Sequence, residues 1–191
     1  MASFVEISSN ALRIIGDDPI TSFSDDTERA RLVNAIYEEM RDEVTRAATW
    51  NCCKSRQVLA SLSETPAFGW AYYHQLPAEC LRVVDVFSGD TRIDHAVEGR
   101  RLMTDVSSVN LIFLKRVTDP NEFDVLFIAA YTARIAAELA LPISGSNTIA
   151  TTMWQLYDKK VKEARTIDSQ EGSAATLDVQ SIFDARAGSV V

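Results

Sequence analysis

Residues 122–140 read EFDVLFIAAYTARIAAELA, and the predicted arrangement of the chain starts from this segment. Apolar side chains occupy almost its whole circumference instead of one stripe, which predicts a helix that is buried on most sides. Its apolar part, continued to Leu141, begins at Val125 and contains Arg134 and Glu138, so it is too short and too charged to be expected to span a membrane. Pro142 and Gly145 are expected to close the helix. Other elements must therefore pack around it.

Three amphipathic helices are predicted in addition to this central one: two precede it in the sequence and one follows it. Residues 25–47 place apolar side chains at steps of three and four and charged ones opposite, and Asp25 followed by Glu28 resembles a capping box. Residues 4–15 and 147–168 show the same period, and Gly16 is suited to a left-handed cap.

The segment between the helices has a different pattern. Residues 57–81 carry prolines, a glycine and four aromatic residues, which indicate extended and turn structure. A hairpin is predicted from 81–87 through a Gly89-Asp90 turn to 91–94, and 100–104 and 109–117 have a similar β-rich composition. We expect a small antiparallel sheet inserted between the helices.

These patterns predict a mainly α fold: a bundle of about four helices with a small inserted antiparallel β-sheet and an extended C-terminal tail. The bundle is expected over 1–50 and 119–169, the β-rich insertion over 51–118, and the tail over 170–191. The tail is small, polar and glycine-containing, so it is expected to stay loose until a partner binds it.

The charge balance narrows the possible partners. Acidic residues outnumber basic ones by 27 to 19, which gives a formal charge of −8 and a pI near 4.8. General nucleic-acid binding needs clustered Lys and Arg, so this composition argues against it. Three cysteines, two of them adjacent, form a poor disulfide framework, and the N-terminus does not resemble a signal peptide. A soluble protein made in the cytoplasm is expected.

No group of residues suggests catalysis. Cys52, Cys53, His74 and Cys80 lack the C-x-x-C spacing of a zinc site. A Cys80–His74 nucleophile pair is conceivable, but a core cysteine and a surface histidine are the better interpretation. Phosphate-binding glycine motifs are missing from the sequence. We expect no catalytic residue, no metal, no cofactor and no enzyme activity.

The aromatic run FGWAYY (68–73) has two interpretations. Stacking platforms for single-stranded nucleic acid combine aromatic with basic side chains, yet no Lys or Arg lies between Arg56 and Arg82. Packing or a protein interface is therefore favoured.

Several motifs together resemble one family. They are ALRIIGDDPITSFSDDTERA (11–30), TWNCCKSRQVLA (49–60) and above all PAFGWAYYHQLPAECLRV (66–83). They are similar to the tail tubular protein A family, the head-to-tail adaptor or gatekeeper proteins of short-tailed phages. The match covers residues 10–87 well; beyond them it rests on helix order and on SIFDAR (181–186).

The resemblance implies a structural virion protein with a helical bundle and a small β-domain. Such adaptors form a twelve-subunit ring under the portal protein, extend the DNA channel, and carry the tail nozzle and in many phages the tail fibres. Ile182, Phe183 and Arg186 are then expected to contact the portal or tail. Phe68, Trp70, Tyr72 and Tyr73 are expected to contact a neighbouring subunit or the nozzle.

The negative charge fits such a ring, because an acidic lumen lets DNA pass without binding it. Two alternatives remain open: a connector or stopper of a long-tailed phage, and an acidic helical protein-binding module. Assembly on a portal protein discriminates between an adaptor and such a module.

Overall fold

The computed structural model describes residues 2–171. Within them, helices at both ends of the chain enclose a central region of seven strands, which form two antiparallel sheets of four and three strands. The prediction of a mainly helical bundle is therefore wrong, and the fold is mixed α/β. The strand region departs from the prediction because it has an apolar core of its own, so it forms more than one small sheet.

The four helices within residues 2–171 are α1 (Phe4–Ile14), α2 (Glu28–Ala47), α3 (Val125–Ser144) and α4 (Asn147–Glu171). The left-handed cap predicted at Gly16 is confirmed, since this residue has a φ of 86°. The N–H groups of Gly16 and Asp17 bond to the carbonyls of Arg13 and Leu12, which is the Schellman arrangement.

The N-terminus of α2 differs from the prediction. Thr27 is the N-cap, and its hydroxyl accepts the Ala30 N–H at 3.3 Å. Asp25 lies before the helix, where its carboxylate accepts the N–H groups of Thr21 and Ser22. These backbone hydrogen bonds lower the pKa of Asp25. The predicted capping box is therefore wrong, because a preceding turn already binds the Asp25 carboxylate.

Helix α3 is the central element, as its composition predicted. It packs against α1, α2 and α4, and Phe127, Tyr131 and Ile135 are completely buried. It continues through Pro142 and ends only at Gly145, whose φ is 64°. By length and composition it would also pass as a membrane span, but 61% of its most apolar window is buried inside the protein.

The strand region consists of two sheets. Their strands are β1 (Lys54–Ala60), β2 (Tyr72–Gln75), β3 (Cys80–Ser88), β4 (Thr91–Arg92), β5 (Ala96–Glu98), β6 (Arg101–Thr104) and β7 (Ser108–Lys115). The larger sheet has the order β1-β7-β3-β4 and the smaller one β2-β6-β5. The predicted hairpin is confirmed: β3 pairs with β4, with Phe87 opposite Arg92.

Strand β7 joins the two apolar cores. Successive strand residues point to opposite faces. Leu114 accordingly belongs to the core among the helices, while its neighbour Phe113 belongs to the core between the sheets. One strand of the larger sheet therefore contributes side chains to both apolar cores, and this holds the sheet against the helices.

Candidate interaction surfaces

The loop between β1 and β2, residues 61–71, carries part of the predicted aromatic surface, and we call it the aromatic loop. Its two ends are fixed: the Leu62 N–H bonds to the Tyr73 carbonyl at 2.7 Å, and the Ala71 N–H bonds to the Asp105 carboxylate at 3.0 Å. Between these anchors Phe68 is 88% exposed. Gly69 follows it with a φ of 83°, a conformation that favours glycine. The loop thus presents a large apolar side chain to solvent.

The other three aromatic residues are only half-exposed. Trp70 lies in the loop, while Tyr72 and Tyr73 are consecutive residues of β2 and so face opposite sides of the smaller sheet. None of the ring pairs found between residues 2 and 171 includes any of the four predicted aromatics. The structure therefore spreads the predicted surface over a loop tip and two sheet faces.

A basic residue does accompany these aromatics, although it is distant in sequence. Arg101 on β6 lies over the Tyr73 ring, 4.9 Å from its centroid, and its Nη2 contacts the Glu64 carboxylate at 2.9 Å. This hydrogen bond raises the pKa of Arg101 and lowers that of Glu64. Because the charge of Arg101 is paired, it adds little attraction for phosphate.

The other predicted interface residues are Ile182, Phe183 and Arg186. They lie outside the residues that the structure describes, and so does the whole predicted tail except its first two positions.

The cysteines and His74 do not form a reactive centre in this geometry. His74 is completely buried, so the prediction of a surface histidine was wrong. It lies on the inner side of β2, and its Nε2 is 3.0 Å from the Thr104 hydroxyl and from the Val106 carbonyl. The hydrogen bond with Cys52, together with burial, raises the pKa of the Cys53 thiol, and burial raises that of Cys80. Such thiols stay protonated and react slowly.

Metal ligation finds no support in the described chain. Between residues 2 and 171, no three His, Cys, Asp or Glu side chains converge in a way that would hold an ion. Cys52, Cys53 and Cys80 form no disulfide within the described residues.

A cluster of arginines is the feature that the sequence analysis missed. Arg82 on β3 donates to the Arg46 carbonyl at 2.7 Å and to the Thr49 hydroxyl at 2.9 Å. Arg165 on α4 donates to the Ala47 carbonyl, and Arg46 itself donates to the Leu81 carbonyl. Three guanidinium groups from three elements therefore meet at the C-terminal end of α2.

The pKa of Arg82 reflects both its burial and the positive charges beside it. Burial and then the charges of Arg46 and Arg165 lower the pKa of Arg82. A cleft of about 420 Å³ opens beside it, and basic side chains from α2, from β3 and from the turns on either side of β5 line this cleft. Its charged or titratable lining groups are Arg46, Cys80, Arg82, His95 and Arg100. We call this cleft with Arg165 the arginine cleft.

No local motif points to the arginine cleft. Arg46, Arg82 and Arg165 are far apart in sequence, and each taken alone is an ordinary helix or strand residue. Only the packing of β3 and α4 against the end of α2 brings them together.

A comparison of the sequence with protein-family models found no match, and neither did a comparison with curated proteins.

Proposed function

We propose that this protein is a head-to-tail adaptor subunit of a short-tailed phage. In this proposal it forms a ring, with twelve copies by the resemblance, between the portal protein and the tail nozzle. The ring extends the DNA channel through which the genome leaves during ejection. The protein is made in the host cytoplasm, ends up in the neck of the virion, and catalyses no reaction.

The observation that carries the proposal is the exposure of Phe68. This residue belongs to the motif of residues 66–83, which is the most specific part of the resemblance, and it is 88% exposed on a loop that is anchored at both ends. Exposing a phenylalanine ring to water is unfavourable unless a partner covers it. A conformation fixed before binding lowers the entropic cost of association.

The remaining candidate groups agree with a structural role. Burial raises the pKa of the Cys53 and Cys80 thiols, and within residues 2–171 no side chains converge as metal ligands. The net charge of −8 suits a channel wall along which DNA passes without specific binding. The proposed partners are further copies of the chain, the portal, the nozzle and in some phages the tail fibres.

Assembly on the portal tests the proposal. The purified full chain is mixed with the portal protein of its own phage, and the products are separated by size and imaged by electron microscopy. We expect a ring of this protein on the tail-facing side of the portal. A folded chain that stays monomeric and does not bind the portal would contradict the adaptor function and favour a protein-binding module.

The C-terminal residues provide a second test of the same proposal. A chain that ends at residue 170 is expected to fold normally and to lose portal binding, because Ile182, Phe183 and Arg186 are removed. A full chain carrying Ile182→Ser and Phe183→Ser should show most of the same loss. Unchanged portal binding by both variants would remove these residues from the interface.

A further inference from the structure

The arginine cleft contrasts with the rest of the surface. Elsewhere within residues 2–171 most arginines contact a carboxylate within 4 Å, among them Arg29, Arg116 and Arg134. The exceptions outside the cleft are Arg13 and Arg56, which lie apart from other arginines in the sequence. Within residues 2–171, the cleft arginines contact none; their hydrogen bonds go to backbone carbonyls and one hydroxyl. This is unexpected in a chain with eight more acidic than basic residues.

Capping of α2 explains only part of this arrangement. The last carbonyls of a helix need donors, and cations there interact well with the helix dipole. The Trp50 indole donates to the Val44 carbonyl at 2.7 Å. The Arg82 guanidinium donates to the Arg46 carbonyl, and the Arg165 guanidinium donates to the Ala47 carbonyl. A neutral donor such as the Trp50 indole would satisfy each carbonyl without placing like charges side by side. Capping therefore leaves the gathering of positive charge unexplained.

The guanidinium groups also keep donors for a ligand. Each guanidinium has five N–H donors in a planar fork that matches a carboxylate. Arg46 and Arg165 each use one in the described chain, and both side chains belong to exposed residues. Arg100, on the far side of the cleft, donates to the carbonyls of Cys80, Pro77 and Ala78. The cleft can thus accept anionic groups from solvent.

A complementary surface lies at the other end of α2. Residues 17–28 contain five carboxylates, and among residues 2–171 the only arginines that pair with them are Arg29 and Arg31. The side chain of Asp18 is 84% exposed, and that of Asp26 is fully exposed. The 20 residues of α2 span about 30 Å, so the acidic and basic surfaces lie at opposite ends of one rigid element.

We infer that the arginine cleft binds the acidic segment 17–28 of a neighbouring copy of the same chain. This inference rests on the proposed ring and deepens it by naming the contact between subunits. A contact between two different surfaces of identical chains is head-to-tail, which is the type that closes into rings. The exposed carboxylates of Asp18 and Asp26 find guanidinium donors in the neighbour, and the opposite charges set the direction of assembly.

A binding experiment on the full chain tests the contact without requiring a ring. The probe is a fluorescently labelled peptide of residues 17–28, DDPITSFSDDTE, followed by anisotropy at low salt. We expect binding that weakens as salt is raised, and about a tenfold or greater loss in a chain with Arg46→Gln and Arg165→Gln. Arg56→Gln, on the exposed face of β1, is the matched control and should bind like the unchanged chain.

Two results of this experiment would overturn the inference. One is equal binding of a peptide in which Asn and Gln replace the five acids. The other is stronger occupancy of the cleft by a short DNA duplex or by inorganic phosphate than by the acidic peptide, which would make the cleft a phosphate site.

Charge reversal tests the same contact during assembly on the portal. A chain with Arg46→Glu and Arg165→Glu, and a chain with Asp18→Lys and Asp26→Lys, should each fail to form rings. A mixture of the two chains, or one chain carrying all four changes, should regain them, because opposite charges meet again. Circular dichroism establishes that every variant is folded.

The outcomes separate this inference from the proposed function. If the unchanged chain forms rings and both reversed chains do so equally well, the inference fails and the adaptor function stands. If the unchanged chain never assembles but the peptide binds at Arg46 and Arg165, the adaptor function fails and the cleft remains a site for acidic segments.

Discussion

The guanidinium group of Arg134 lies over the indole ring of Trp154, with its central carbon 4.4 Å from the ring centroid. The same group bonds to Glu43 on α2 and to Glu138 on α3, each at 2.7 Å. Burial, the largest single effect, lowers the pKa of Arg134, but the hydrogen bonds to Glu138 and Glu43 outweigh it and raise the pKa overall. One nearly buried side chain thus connects α2, α3 and α4.

Replacement of this arginine should weaken the helical part markedly. Arg134→Ala leaves two carboxylates without their partner and removes the packing against Trp154, so we expect the free energy of unfolding to fall by about 2–4 kcal/mol. Arg134→Lys should lose less, because it keeps the charge but not the planar fork. Urea unfolding followed by circular dichroism measures both changes. A loss below about 0.5 kcal/mol for the alanine variant would contradict the proposed connection.

A smaller loss of stability is expected when the hydrogen bond between Trp50 and the last turn of α2 is removed. Trp50 is buried, its ring packs edge-on against Phe127 at 5.1 Å, and its indole N–H bonds to the Val44 carbonyl. Trp50→Phe keeps much of the ring packing but removes the donor, which should cost about 1–3 kcal/mol in unfolding free energy. Trp154→Phe, at a more exposed ring, is the matched control and should cost less. An equal loss in the two variants would argue against a special role for the Val44 hydrogen bond.

The two histidines should respond differently to substitution. His74 is completely buried, and its Nε2 forms hydrogen bonds with the Thr104 hydroxyl and the Val106 carbonyl. His74→Ala should therefore lower the free energy of unfolding by about 2 kcal/mol or more. His95 is only half-buried beside the arginine cleft, and His95→Ala should change stability by about 0.5 kcal/mol or less. Thermal or urea unfolding of both variants gives the comparison. Equal effects would show that the buried position of His74 contributes nothing measurable.

The helices could be predicted from the sequence because their apolar period is repeated over many residues. In α3 the period is blurred, yet the uniform apolar surface still identifies a central helix. The β3–β4 hairpin was predicted because a Gly-Asp turn separates two β-rich segments. Local patterns of this kind need no knowledge of the tertiary structure.

The division into two sheets and the surroundings of the surfaces could not be predicted. Strand β2 is four residues long, too short to show an alternating pattern, so the burial of His74 depends on its pairing with β6. The same pairing decides that Arg101 reaches Tyr73. The arginine cleft depends on how β3 and α4 pack on α2, which no single segment of the sequence encodes.

The free energy of unfolding should depend on pH in the alkaline range. The pKa values of Cys53, Cys80 and Tyr131 are raised in the folded protein, so the unfolded chain loses these protons at lower pH. The contribution of these groups should therefore be constant between about pH 7 and the unfolded thiol pKa of about 8.5. Stability should fall as pH rises above that value, and more steeply above about 10 as tyrosines ionise. Each thiol contributes at most about 1.4 kcal/mol per pH unit.

Urea unfolding at several pH values between 7 and 10, in the presence of reductant, measures this dependence. Cys53→Ala and Cys80→Ala should each reduce the slope above pH 8.5 even if they lower stability overall. An unchanged slope in the double variant would assign the alkaline loss to other groups.

The exposed ring of Phe68 should affect association and not folding. Because 88% of this residue is exposed, Phe68→Ser should change the free energy of unfolding by about 0.5 kcal/mol or less, whereas Phe127→Ala in the core should cost about 3–5 kcal/mol. If a partner covers the ring in the assembled neck, Phe68→Ser should weaken ring formation or nozzle binding by about tenfold or more. Sedimentation of the variant with portal and nozzle proteins measures this effect. A variant that assembles normally would show that the aromatic loop is not at an interface, while a large loss of stability would show that the ring packs within the subunit.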